Sequence, residues 1–212
     1  VRYHENDYEV ETRLAGRFNI YNTLGAIGAA LNEGISMDDA IEAVKDFQSV
    51  PGRFELIDEG QSFAVVVDYA HTPDGLEKIL GTAREITEGK IIAVFGCGGD
   101  RDRMKRPIMG SIAAEHADIS IVTSDNPRTE DPEKIIEDVV VGVEKVKKNK
   151  PDLYYEVIAD RRQAIKRAVS LAKDDDIVII AGKGHEDYQI LKDRTIHFDD
   201  REEARNALKE VK

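Results

Sequence analysis

Three short runs, FAVVVD (63–68), KIIAVFG (90–96) and DIVIIAG (176–182), are apolar at nearly every position, without alternation. A strand with one wet face alternates apolar and polar residues, so strands like these have both faces covered, as in a parallel sheet packed between helices. The pattern predicts strands at 54–58, 63–68, 90–95, 119–123, 154–158 and 176–181. Helical spacing predicts helices at 74–87, 105–117, 131–147 and 160–173. Strands alternating with helices imply right-handed crossovers. The expected fold class is therefore α/β, a mostly parallel sheet with helices on both faces. A hairpin at 188–192 and 195–198 and an amphipathic helix at about 200–210 follow.

The first 50 residues read differently. Short extended pieces, among them YEVETRL (8–14), lead into Gly16-Arg17-Phe18-Asn19. From Tyr21, the positions Leu24, Ile27, Ala30 and Leu31 fall at helical spacing, and Gly34 ends that helix. Ser36 caps the next one, with Asp39 three residues on. The segment SVPGRFE (49–55) combines Pro-Gly with a change of period, which sets a domain boundary near Val50. Two domains are expected, 1–50 and 51–212.

Charge and composition narrow the function. A formal charge of −12 argues against general binding to nucleic acid or to a membrane surface. No apolar run approaches the roughly 20 residues of a membrane span. One cysteine, Cys97, excludes an internal disulfide framework and fits a reducing cytoplasm. The start Val1-Arg2-Tyr3-His4 is unlike a signal peptide. The missing initiator Met points to a fragment, although processing or a tag boundary would also account for it.

Ligands of open parallel sheets bind beyond the carboxyl ends of the strands. Polar, charged and glycine-rich residues follow four of these strands: Asp68-Tyr69-Ala70-His71, Gly96 to Arg103, Asp125-Asn126-Pro127-Arg128, and Gly182-Lys183-Gly184-His185-Glu186. GCGGDRDRMKR lacks the third glycine of a dinucleotide fingerprint, because Arg101 stands there. Its alternatives are a tight strand-to-helix turn or a loop whose backbone and arginines approach an anion. Some of Arg101, Arg103, Lys105 and Arg106 are expected to form internal ion pairs. GKGHE is only superficially a phosphate loop, since Gly184 follows Lys183 where Ser or Thr is required. No second His or Cys has metal-ligand spacing, and His185 is read as a hydrogen-bonded structural residue. Glu186 is either a surface carboxylate or a partner for an amine.

DNPR would serve as a turn, with Pro127 fixing φ. A turn does not account for Arg128 at a helix start, where the dipole disfavours a cation. A guanidinium there fits an external carboxylate gripped bidentately. If Asn126 and Arg128 hold an acid while Glu186 holds an amine, the implied ligand is zwitterionic, an amino acid.

Six blocks carry a resemblance: GRFNIYN (16–22), VPGRFE (50–55), VVVDYAHTPDGLEK (65–78), FGCGGDRDRMKRP (95–107), DNPRTEDP (125–132) and GKGHEDYQ (182–189). In this order and spacing the chain resembles the Mur ligases, over nearly its whole length. It departs from them at Met104, where the family usually has Gly. The resemblance implies a Rossmann-like C-terminal domain, preceded at 1–50 by the end of an ATP-binding central domain. It implies ATP-dependent addition of meso-2,6-diaminopimelate to a UDP-N-acetylmuramoyl-dipeptide through an acyl phosphate, with Mg²⁺, in a cytoplasmic monomer making cell-wall precursor. By the same resemblance Arg101, Asp125, Asn126, Pro127, Arg128, Gly182 and Glu186 bind diaminopimelate. Asn19 and Asn22 lie on the adenine side of ATP, Arg53 near its phosphates and Asp68 near its ribose. The family's glycine-rich ATP loop, Mg²⁺ ligands and modified lysine lie upstream of these residues, as do its catalytic groups and UDP-binding domain. The chain alone is therefore expected to be inactive.

Lysine in place of diaminopimelate would leave the Arg128 guanidinium unpaired, at a cost on the order of 2–5 kcal/mol. The lysine-adding ligase, a non-enzymatic amino-acid-binding module, a folylpolyglutamate-type ligase and a dinucleotide-dependent oxidoreductase are the competing readings. The last is opposed by Arg101.

Overall fold

The computed structural model describes residues 1–211 and divides by internal contacts into two units, Val1–Val50 and a second beginning at Pro51. In the first unit, two-residue strands β1 (Arg2–Tyr3) and β2 (Asn6–Asp7) pair antiparallel. They precede helices α1 (Arg17–Asn32) and α2 (Met37–Asp46). Helix α1 begins four residues before the periodicity becomes legible at Tyr21. Its first turn carries Asn19, whose Nδ2 donates to the Ala15 carbonyl 2.8 Å away. Ser36 caps α2 as expected, accepting from the Asp39 N–H at 3.2 Å. Ile27, Met37 and Ala40 form the small core between the two helices.

The second unit is built on a six-stranded sheet. Its strands are β3 (Glu55–Leu56), β4 (Ala64–Asp68), β5 (Ile91–Phe95), β6 (Ile119–Val122), β7 (Tyr154–Val157) and β8 (Ile177–Ala181). Their spatial order is β3-β4-β8-β5-β6-β7, with only β3 antiparallel. The crossovers are α3 (Pro73–Ile86), α4 (Lys105–His116), α5 (Pro132–Lys147) and α6 (Arg161–Leu171). A hairpin, β9 (Tyr188–Ile190) with β10 (Thr195–His197), leads to α7 (Asp200–Val211).

The side-chain alternation of each strand divides the core in two. Ile91, Ala93 and Phe95 of β5 pack with α3, α4 and α5, whereas Ile92 and Val94 pack with α6 and α7. Both faces are therefore covered, which is why these strands carry no polar alternation.

Helix starts are set locally. Thr72 accepts from Gly75 N–H, Asp131 from Glu133 N–H and Asp160 from Gln163 N–H, at 3.2, 3.0 and 2.9 Å. Pro73 and Pro132 occupy the first turns of α3 and α5, where no N–H partner is needed.

The connection that matters for the site is α6. The chain runs outward through β5, β6 and β7 along one face, then returns along the other so that β8 inserts between β4 and β5. The segments following β4, β8, β5 and β6 consequently lie side by side on one edge of the sheet.

Candidate functional site

Four strand ends meet at that edge. The segment after β6 is sunk into the protein: Asp125, Asn126 and Pro127 are buried and Arg128 is half-buried. The Asn126 Nδ2 donates to Glu186 Oε2 at 2.9 Å, joining the loop after β6 to the loop after β8 across the end of β5. Asn126 Oδ1 accepts from the main-chain N–H of Ile190 at 2.9 Å and from Lys183 Nζ at 3.3 Å. Arg128, in the left-handed region at φ +53°, turns its Nη1 to the carbonyls of Gly99 (2.9 Å) and Asn126 (3.3 Å). Glu186, Asn126, Arg128 and Gly99 thus form one continuous hydrogen-bonded chain.

Arg101 lies on the loop after β5, exposed, with its Nη1 on the Asp100 carbonyl at 3.0 Å. Its basic neighbours are spoken for. Arg106 is fully buried and bonds Glu130 (2.7 Å) and Asp138 (2.9 Å). Arg103 also reaches Asp138, and Lys105 donates to the His71 carbonyl. These contacts hold the Glu130 carboxyl down at about 2, chiefly through the Arg106 hydrogen bond. Arg101 is the member of this cluster whose guanidinium has no carboxylate among the described residues.

Gly182 sits at φ +125°, and a Cβ there would come 2.7 Å from Asp125 Oδ2. Both its conformation and its neighbour require glycine. The other Asp125 oxygen accepts from the Asn126 N–H at 2.6 Å. Beneath this turn Arg161, at the start of α6, is fully buried. It bonds both oxygens of Asp200 at 2.7 Å and the Ala181 carbonyl at 3.1 Å. Its Nη1 is buried with no hydrogen-bond partner among the described residues.

On the β4 side, Asp68 accepts from the Phe54 N–H (2.7 Å) and the Ala70 N–H (2.8 Å). Burial raises its carboxyl above the ordinary range, and those two hydrogen bonds oppose the rise. The exposed Arg53 guanidinium lies 4.6 Å from the Tyr69 ring centroid. Gly52 and Gly184, both at positive φ, touch backbone to backbone, since a Cβ on Gly52 would fall 2.2 Å from the Gly184 carbonyl carbon. The VPGRFE and GKGHE segments therefore interlock.

In the first unit a cleft of about 430 Å³ lies between α1 and α2, lined by Leu14, Asn22, Thr23, Ala26, Val44 and Phe47 among others. Asn22 Nδ2 donates to Asn19 Oδ1 at 3.1 Å, and Thr23 Oγ1 is buried with no hydrogen-bond partner among the described residues.

The Mur ligase, glutamate ligase domain family matches residues 52–184. The chain belongs to the Mur ligase family. It is 54% identical over 204 residues to the UDP-N-acetylmuramoyl-L-alanyl-D-glutamate–2,6-diaminopimelate ligase of Clostridium botulinum, covering 95% of this chain and 41% of that protein. It is 53% identical over 209 residues to the same ligase of Syntrophomonas wolfei, covering 99% and 42%. A solved structure of UDP-N-acetylmuramoyl-L-alanyl-D-glutamate–2,6-diaminopimelate ligase superposes with a TM-score of 0.73 at 42% identity, covering 98% of this chain and 41% of that one. The chain thus spans about two fifths of the length of the relatives it matches.

Two expectations change for this Mur ligase domain. Arg128 is half-buried and already bonded to two carbonyls, so its guanidinium is less starved of partners than a buried, free one. His185 is exposed, and its ring lies 5.3 Å from that of Tyr69 rather than in a structural hydrogen-bond niche.

Two residues at the site were passed over in the sequence. Lys183 was set aside with the failed phosphate-loop motif, yet it is wholly buried between Asn126 and Glu186. A lysine between two glycines directly after a fully apolar strand was the available signal. Arg161 gave none, since Asp200 lies 39 positions away.

Proposed function

We propose that this chain is the amino-acid-binding C-terminal part of an ATP-dependent ligase of cell-wall precursor synthesis, working in the cytoplasm. The complete enzyme would add meso-2,6-diaminopimelate to UDP-N-acetylmuramoyl-L-alanyl-D-glutamate. ATP would phosphorylate the D-glutamate carboxylate. The unprotonated amine of diaminopimelate would then attack the acyl carbon, and the tetrahedral intermediate would expel phosphate. By the family resemblance, Mg²⁺ would be held by residues upstream of those of this chain.

The observation that carries the reading is the Glu186–Asn126–Arg128 chain of hydrogen bonds. Glu186 offers an anionic oxygen, Asn126 an amide N–H and Arg128 its unused guanidinium edge. Together they complement the ammonium and carboxylate of a second amino-acid head, which diaminopimelate has and lysine lacks. Arg101, without a carboxylate partner, is assigned to the same ligand. Asp125, Pro127 and Gly182 shape the turn that presents these groups. Because Arg128 already bonds two carbonyls, lysine is disfavoured by a smaller amount, about 1–3 kcal/mol, or roughly fivefold to 150-fold.

On the nucleotide side, the cleft at Asn22 and the orphaned Thr23 hydroxyl support an adenine-sized ligand on the first unit, with Asn19 holding Asn22 in place. On the second unit, the family resemblance assigns Arg53 to ATP phosphates and Asp68 to ATP ribose.

The test is a ligation assay of the intact enzyme with ATP and the UDP-dipeptide. Diaminopimelate is expected to be used at least about fivefold better than lysine by kcat/KM, and Arg128→Ala to abolish that preference. Equal use of the two amino acids by the unmutated enzyme would overturn the reading.

A further inference from the structure

We propose that Lys183 is a positioning residue for the amino-acid substrate, setting which atoms of Asn126 and Glu186 remain free to bind it. The inference rests on the functional reading above and adds a residue to it.

Lys183 is fully buried, at 0% exposure. Taking an ammonium out of water is costly, and a buried ion pair is weak evidence for stability. Its location therefore calls for another reason. Both of its bonds go to the two residues that bridge the strand ends: Asn126 Oδ1 at 3.3 Å and Glu186 Oε2 at 3.2 Å. Its Nζ also lies 5.4 Å from the Tyr188 ring centroid.

Counting hydrogen-bond capacity gives the consequence. Asn126 Oδ1 has two acceptor sites, filled by Lys183 and by the Ile190 N–H. The amide is thereby held in one orientation, with Nδ2 toward Glu186. One Nδ2 proton serves Glu186 and one remains. Glu186 Oε2 receives Lys183 and Asn126, and the Tyr188 hydroxyl also interacts with this carboxylate, so what remains for a ligand is the acceptor capacity those three groups leave. The residue pair therefore presents one donor and one anionic acceptor, side by side. That is the complement of a carboxylate next to an ammonium. Without Lys183 the Glu186 carboxylate loses its cation, is free to turn, and no longer offers a fixed oxygen.

A residue that only fills space would affect folding without acting through Glu186. The experiment is steady-state kinetics of the intact enzyme with ATP, UDP-dipeptide and meso-diaminopimelate, comparing wild type, Lys183→Met, Glu186→Gln and the double variant. Lys183→Met is expected to raise KM for diaminopimelate about 10–100-fold, the range for losing a hydrogen bond to a charged group. KM for ATP should stay within about twofold, because the ATP groups assigned above do not contact Lys183. In the Glu186→Gln background the same change should raise KM by less than about threefold, the signature of coupled residues.

An unchanged KM for diaminopimelate in Lys183→Met would overturn the proposal, as would an equal penalty in both backgrounds. If the methionine variant does not fold, Lys183→Gln is read in the same way. A fold that tolerates neither assigns Lys183 to stability and overturns the proposal. Failure of the wild type to use diaminopimelate would instead remove the functional reading itself, before any variant is compared.

Discussion

Replacing Asp200 by leucine strands a buried guanidinium. Arg161 and Asp200 are both wholly inaccessible, and two bonds of 2.7 Å join them. With the carboxylate gone, Arg161 keeps only the Ala181 carbonyl at 3.1 Å. Removing one partner of a buried pair costs about 3–5 kcal/mol, because the remaining charge cannot return to water. At about 2–4 °C per kcal/mol for a protein of this size, the melting temperature should fall by roughly 6–20 °C. The pair itself is imperfect, since Arg161 Nη1 has no partner among the described residues, a defect worth about 1–3 kcal/mol. Removing both charges should therefore be far milder than removing one. Urea unfolding of Asp200→Leu, Arg161→Met and the double variant reads this directly. The double variant is expected within about 1 kcal/mol of wild type. Single variants costing less than about 1 kcal/mol, or a double variant costing the sum of the two, would refute the reasoning.

Two further outcomes follow from the same geometry. Gly182→Ala forces a side chain onto Asp125 Oδ2 at a φ that L-residues rarely adopt. It should raise KM for the amino acid at least about tenfold in the intact enzyme while costing about 1–3 kcal/mol of stability. Glu130 is held at about 2, below the usual 4.5, by Arg106 and the Asp100 N–H. A carboxyl depressed in the folded state stabilises above its unfolded value and loses that contribution as pH falls toward its folded value. Glu130→Gln should therefore flatten the pH dependence of unfolding between 4.5 and 2, and an unchanged acid limb would contradict the assignment.

Much of the architecture was legible along the chain. Runs such as KIIAVFG and DIVIIAG became β5 and β8 because a strand buried on both faces needs no alternation. Thr72, Asp131 and Asp160 start helices by bonding N–H groups within three residues of themselves. The start of α1 was less legible, because Gly16 caps it without a side chain. At the site, the sequence located the four strand-end loops and singled out Asn126, Arg128 and Glu186 by their chemistry. It did not show that Arg128 already bonds two carbonyls or that His185 is exposed beside Tyr69, which depend on what lies opposite each of them.

What the sequence determined by itself was what short-range physics controls: the period of each segment, the caps, the turns and the side of the sheet on which polar residues gather. What the tertiary structure alone decided was pairing. Asn126 meets Glu186 from 60 positions away, Lys183 joins them, and Arg161 meets Asp200 from 39. None of these distances is encoded nearby in the chain. They arise because α6 crosses to the other face and carries β8 back between β4 and β5, which sets the loop after β8 close enough to reach the loop after β6.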